Sequence, residues 1–134
     1  MNPCILIPCY THAEPLAPVL ARLAEFGLPC LLVDDGSEPV AAAALDALAA
    51  QHPWVTLLRH PHNQGKGGAV MTGLRRAHEL GFSHALQVDA DGQHDLADLP
   101  ALLGDAGSGR ERVLRGVMYV YCLYCFIYMV VTGR

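Results

Sequence analysis

Four short apolar runs, at residues 4–8, 28–33, 55–58 and 85–88, punctuate the first two thirds of the chain. They are apolar throughout rather than alternating, the pattern of strands buried on both faces of a parallel sheet. Helical patterns lie between them. Leu16, Val19, Leu20 and Leu23 fall on one helical face. So do Val70, Leu74, Ala77 and Leu80, with Arg75, Arg76 and Glu79 turned outward. The alanine-rich stretch 40–50, behind Pro39, predicts a third helix. Gly27 and Gly81 stand where helices should stop. Strand and helix in strict alternation predict an α/β domain with a doubly wound sheet.

Right-handed crossovers would put the C-terminal end of every strand on one edge, where ligands of such sheets bind. Each run is followed by an unusual polar segment. Cys9-Tyr10-Thr11-His12 follows the first, Asp34-Asp35-Gly36-Ser37 the second, residues 60–68 the third, and Asp89-Ala90-Asp91-Gly92-Gln93-His94 the fourth. All four therefore land on the same edge. That convergence says more than any one motif.

The last segment holds two carboxylates separated by one small residue. Asp89 and Asp91 would suit a hard divalent cation that keeps positions open for a substrate's phosphates, with Gln93 as a neutral oxygen ligand. Taken alone, such a pair is a common solvated turn, with Gly92 supplying the bend. His94 reads as a loop-surface histidine. Ser37 is a good N-cap ahead of Pro39 and is expected to cap the third helix. That cap does not explain the acidic pair before it. Adjacent carboxylates leaving a buried strand repel unless something is bound, and Asp34 or Asp35 could accept a hydrogen bond from a nucleobase N–H or a ribose hydroxyl. The run Asn63-Gln64-Gly65-Lys66-Gly67-Gly68 opens a helix with glycines and the chain's sole lysine, a combination suited to a phosphate. It is not a Walker A loop, and close helix packing would also use such glycines. His60 and His62, flanking Pro61, read as exposed loop residues.

Composition narrows the picture little further. At 134 residues and 52% hydrophobic, the chain is one domain or a piece of one with enough apolar surface for a core. A net charge of -4 leaves no basic field for nucleic acid. Five cysteines in irregular spacing imply no disulfide framework, and Cys122-Leu123-Tyr124-Cys125 lies inside an apolar run where cysteine acts as filler. With no basic stretch preceding a long apolar one, no signal peptide is expected, and the cytoplasm is the expected location.

The segments Ile5-Leu6-Ile7-Pro8-Cys9-Tyr10, Leu32-Val33-Asp34-Asp35-Gly36-Ser37, Asn63-Gln64-Gly65-Lys66-Gly67-Gly68-Ala69 and Asp89 to His94 together resemble the nucleotide-binding half of family 2 glycosyltransferases, nearest the dolichyl-phosphate mannose synthase-like branch. The resemblance covers residues 1–104 in order and spacing. It implies a GT-A fold, a Rossmann-like, mostly parallel sheet flanked by helices. The implied activity moves a sugar from a UDP- or GDP-linked donor to a hydroxyl or lipid-phosphate acceptor, with Mg2+ or Mn2+. By position, Pro8 and Tyr10 would line the nucleotide pocket, Asp34 or Asp35 would contact base or ribose, and Asn63 and Lys66 would lie on the nucleotide side. Asp89, Ala90 and Asp91 would meet the diphosphate, the ion being held by Asp89, Asp91 and Gln93. One departure is Thr11, where the family often has asparagine.

From residue 105 the patterning fails. Arg110, Arg112 and Arg115 precede an apolar aromatic run at 117–131, and no Asp or Glu follows Glu111, so the acceptor half and its general base are not visible. Three readings stand for 105–134: a truncated or out-of-frame end, a membrane-associated segment, or a core strand or helix. Membrane association would place the chain at the cytoplasmic face. A nucleotide-diphosphate-binding remnant without transferase activity is the alternative function. A receiver-like signalling domain is disfavoured because Arg59-His60 stands where its phosphoacceptor should be. A sugar-phosphate nucleotidyltransferase is disfavoured because the glycine-rich loop does not follow the first strand.

Overall fold

The structure is a computed structural model that describes residues 2–11, 13–90, 113–114 and 118–122. Strand β1 spans Pro3–Cys9, helix α1 Ala13–Leu23, β2 Cys30–Asp34, α2 Pro39–Gln51, β3 Val55–Arg59, α3 Gly65–Glu79 and β4 His84–Gln87. A 3-10 turn, Ala24–Phe26, extends α1, and two further strands follow, β5 at Val113–Leu114 and β6 at Met118–Cys122.

The sheet order is β3-β2-β1-β4-β6-β5. β1 to β4 pair in parallel, and β6 closes antiparallel on β4, with Leu86 opposite Val120. The four strands foreseen from the apolar runs are all present, with ends shifted by one or two residues. Within the tail, residues 118–122 form a strand of this sheet; Asp91, Gln93, His94 and residues 123–134 lie outside the described residues.

β1 and β2 are apolar on both sides because helices cover both, whereas β3, expected to be buried on both faces, lies at the sheet edge with Thr56 exposed. On one face, Ile5, Ile7, Cys30 and Leu32 pack under Leu16, Leu20 and Leu23 of α1 and Leu45 of α2. On the other, Cys4, Leu6, Leu31 and Val33 pack under Ala69, Val70, Leu74 and Ala77 of α3. Gly73 allows that second contact, since a Cβ there would overlap the buried side chain of Leu6. Leu80, expected on the buried face of α3, is instead exposed, because it caps the helix after the periodic face has ended. Burial pushes the Cys4 thiol up to about 12, so it is an inert core group rather than a nucleophile.

Chain order runs outward from β1 through β2 to β3, then returns across the sheet to β4 on the other side of β1. The strand order therefore reverses between β1 and β4, where α/β sheets open a crevice at their C-terminal edge.

Candidate active site

Backbone bonds carry the ladder past the strand ends into the loops. The Asp35 N–H donates to the Cys9 carbonyl (2.8 Å), His60 N–H to the Asp34 carbonyl (2.8 Å) and Val88 N–H to the Leu6 carbonyl (2.9 Å). These bonds hold the described parts of the four polar segments at one edge, around a cavity of about 290 Å3. Pro8, Cys9 and Tyr10 line it from β1, Asp35 from the β2 loop, Asn63, Gly65, Lys66 and Ala69 from the β3 loop and α3, and Asp89 and Ala90 from beyond β4.

The adjacent aspartates divide. Asp34 is fully buried and does not line the cavity. Its Oδ2 accepts from Arg59 Nε at 2.7 Å and its Oδ1 from the Ser37 N–H at 2.9 Å, while Arg59 continues to the Ala42 carbonyl and to Asp46 of α2. Burial pushes the Asp34 carboxyl up, but the hydrogen bonds from Ser37 and Arg59, with the Arg59 charge, outweigh it and hold the group below its ordinary value. The two carboxylates thus have partners of their own, and the repulsion expected of a bare acidic pair is answered inside the fold.

That pairing has a consequence in acid. A depressed carboxyl contributes stability that is complete above its unfolded value of about 4 and is lost as pH falls through the lower folded value. Arg59→Met leaves a buried carboxylate without its cation and is expected to destabilise the chain by about 3 kcal/mol at pH 7. The gap in melting temperature between wild type and Arg59→Met should narrow below about pH 4, which a pH series of thermal melts checks.

Asp35 faces the other way. His60 Nδ1 and the Gln64 N–H both lie 2.8 Å from its Oδ1, and His60 Nε2 lies 2.7 Å from Thr72 Oγ1 on α3. His60, expected in an exposed loop, is buried. The reason is the parallel register: Asp34 pairs with Arg59, so the residues that follow on each strand, Asp35 and His60, also meet. Once that register is known, His60 could have been found from the sequence.

Ser37 does not cap α2. The N-cap position falls on Glu38 without a side-chain hydrogen bond, and the Ser37 hydroxyl instead accepts the Thr11 N–H at 3.0 Å. Thr11 adopts φ 61°, a left-handed conformation that strains a β-branched residue, beside the cavity residue Tyr10. Asparagine tolerates that conformation. Thr11→Asn is therefore expected to stabilise by about 1 kcal/mol, read as a rise in melting temperature.

At the same cavity, Lys66 Nζ pairs with Asp89 Oδ1 at 2.8 Å. Lys66 lies in the first turn of α3, which carries no acidic residue and whose N-cap, Gln64, makes no side-chain hydrogen bond. The helix dipole and the lysine suit this rim to a phosphate, while the Gln64 N–H is already taken by Asp35 Oδ1. Asn63 turns its Oδ1 to the Gly65 N–H at 3.2 Å. Tyr10, 43% exposed at the cavity, offers a ring face for stacking. Among the described residues no group of three or more His, Cys, Asp and Glu could hold a metal ion, the aspartate and glutamine beyond Ala90 lying outside them. No helix among the described residues is long and apolar enough to cross a membrane.

The family model described as glycosyl transferase family 2 matches residues 4–130. The chain belongs to glycosyl transferase family 2. Relatives in this glycosyltransferase family include the undecaprenyl-phosphate mannosyltransferase of Micrococcus luteus, 36% identical over 84% of this chain and 49% of that protein. The polyprenol monophosphomannose synthase of Mycolicibacterium smegmatis is 31% identical over 87% of this chain and 44% of that protein. The chain spans about half the length of the relatives it matches. Among solved structures, the mannosyltransferase PcManGT of Pyrobaculum calidifontis, in complex with GDP-Man and Mn2+, aligns with TM-score 0.58 and 26% identity over 67% of this chain and 27% of that one. TarS of S. aureus aligns over 92% of this chain and 28% of its own with TM-score 0.64 at 16% identity, a likeness of fold. The glycosyltransferase domain is thus an α/β, GT-A-like unit whose parallel strands are flanked by helices.

Proposed function

We propose that this chain supplies the donor-binding half of a glycosyltransferase that moves a sugar from a UDP- or GDP-linked donor to a lipid-phosphate or hydroxyl acceptor. One observation carries the reading: the cavity at the reversal of strand order is lined both by the hydrogen-bond acceptor Asp35 and by the Lys66–Asp89 pair. The kinship with an undecaprenyl-phosphate mannosyltransferase and a polyprenol monophosphomannose synthase favours a lipid-phosphate acceptor. A location at the cytoplasmic face of a membrane would follow.

In this reading Tyr10 stacks on the base, Asp35 accepts a hydrogen bond from base or ribose, and Pro8 and Cys9 form the floor. Lys66, with the positive end of the α3 dipole, takes the diphosphate. The site suits a divalent ion in one testable respect, since the Asp89 carboxylate already engages a cation, the Lys66 ammonium. Asp89 would hold Mg2+ or Mn2+ with Asp91 and Gln93. That ion supplies Lewis-acid stabilisation of the charge on the departing diphosphate. The chain's part is to fix the diphosphate so that it leaves in line with an incoming oxygen. A phosphate acceptor arrives as an oxyanion and needs no general base; a hydroxyl acceptor would need one.

The test is transfer itself. Radiolabelled GDP-mannose or UDP-N-acetylglucosamine is incubated with the chain, Mn2+ and vesicles holding undecaprenyl phosphate, and organic-soluble label is counted. The reading expects label in the lipid fraction that chelation abolishes. Donor binding without transfer would instead mark a nucleotide-diphosphate-binding unit that lacks transferase activity on its own.

A further inference from the structure

Asp35 lines the cavity, yet its side chain is only 4% exposed. Both of its described side-chain hydrogen bonds fall on Oδ1, from His60 and from the Gln64 N–H. Among the described residues the one buried side-chain nitrogen or oxygen without a partner is His84 Nε2. Asp35 Oδ2, which makes no described hydrogen bond, therefore keeps its contact with solvent, and the cavity is where Asp35 meets solvent.

The chemistry of the chain Asp35–His60–Thr72 sets its proton positions. A carboxylate only accepts, so His60 Nδ1 carries the hydrogen toward Asp35. In the neutral ring Nε2 then accepts from the Thr72 hydroxyl, which reaches across from α3 at 2.7 Å. His60 is thereby fixed at both nitrogens in a buried position, and a His–Asp bond of this kind fixes the carboxylate's rotation.

We infer that His60, braced by Thr72, is a positioning residue that locks Asp35 with Oδ2 turned to the cavity as the hydrogen-bond acceptor for the nucleoside part of the ligand. The inference rests on the nucleotide-diphosphate reading of the cavity. It divides the site into two halves that respond separately. The Asp35 wall, held by His60 and Thr72, reads the nucleoside. The Lys66 wall reads the phosphates.

The experiment is calorimetric titration of UDP, GDP and pyrophosphate, each with Mn2+, into wild type, His60→Leu, His60→Asn and Thr72→Val, with melts to establish that each is folded. Removing the donor to Asp35 in His60→Leu should weaken the better of UDP and GDP about tenfold, the scale of one charge-assisted hydrogen bond, and leave pyrophosphate unchanged. His60→Asn, whose amide N–H can replace Nδ1–H, should recover most of that loss. Thr72→Val, which keeps the ring but removes its brace, should fall between. Equal weakening of nucleotide and pyrophosphate in His60→Leu, or unchanged nucleotide affinity, would overturn the inference while leaving the donor-site reading standing. If wild type binds pyrophosphate but neither nucleotide, the donor-site reading fails, and the inference with it.

Discussion

Gly36→Ala is expected to destabilise the chain by about 3 kcal/mol and to separate the two loops that form the nucleoside side of the cavity. Gly36 has φ +76°, and a Cβ there would stand 2.5 Å from the Asn63 backbone nitrogen and 2.6 Å from the His62 carbonyl carbon. Neither atom belongs to a side chain that can swing away. The loop after β2 and the loop after β3 touch backbone to backbone at this point, and Asp35 and Asn63 are the residues on either side. An alanine meets two penalties together, the left-handed conformation and the overlap. For a domain of this size the loss should lower the melting temperature by about 10 °C or more. Gly67→Ala is the matching control. A Cβ at Gly67 meets nothing within 4 Å, so that variant should melt close to wild type. Melting of Gly36→Ala within two or three degrees of wild type would show that the loops do not approach in this way.

Lys66→Met is expected to weaken UDP or GDP about 10- to 100-fold while leaving the affinity for uridine or guanosine unchanged. Lys66 is the chain's sole lysine, and its side chain is 55% exposed in its pair with Asp89. The lysine end of the pair is solvent-screened while the Asp89 side chain is 13% exposed, so the loss of stability should stay at about 1 kcal/mol and the melting temperature should fall by only a few degrees. Binding is different, because a charge-assisted contact to a phosphate is worth about 1.5–3 kcal/mol. The split between nucleotide and nucleoside places the loss on the diphosphate. A parallel loss for nucleosides would mean that Lys66 acts by shaping the cavity rather than by its charge.

The fold was legible where signals were local. Apolar runs of strand length, three amphipathic or alanine-rich intervals and glycines at helix ends sufficed to order β1 through β4. The convergence of Tyr10, Asp35, Lys66 and Asp89 followed from topology, since parallel strands bring their C-terminal ends together. Partnerships across the sheet were not legible. Ser37 looked like a cap because Pro39 follows it, but its hydroxyl serves Thr11, 26 residues away. Asp34 and Asp35 are neighbours in sequence with opposite surroundings, and only the register with Arg59 and His60 separates them. β6 was hard to read for another reason: a run of valine, tyrosine and cysteine suits a strand, an interface or a membrane, and pairing with β4 decides residues 118–122 alone.

Calorimetric titration of UDP and GDP, with and without Mn2+, into the wild-type chain and Asp89→Ala tests the central claim most directly. The account predicts Mn2+-dependent binding of a nucleoside diphosphate to wild type, and its loss in Asp89→Ala with cooperative melting retained. A cooperatively melting wild type that binds neither nucleotide at millimolar concentration, with or without Mn2+, would contradict it.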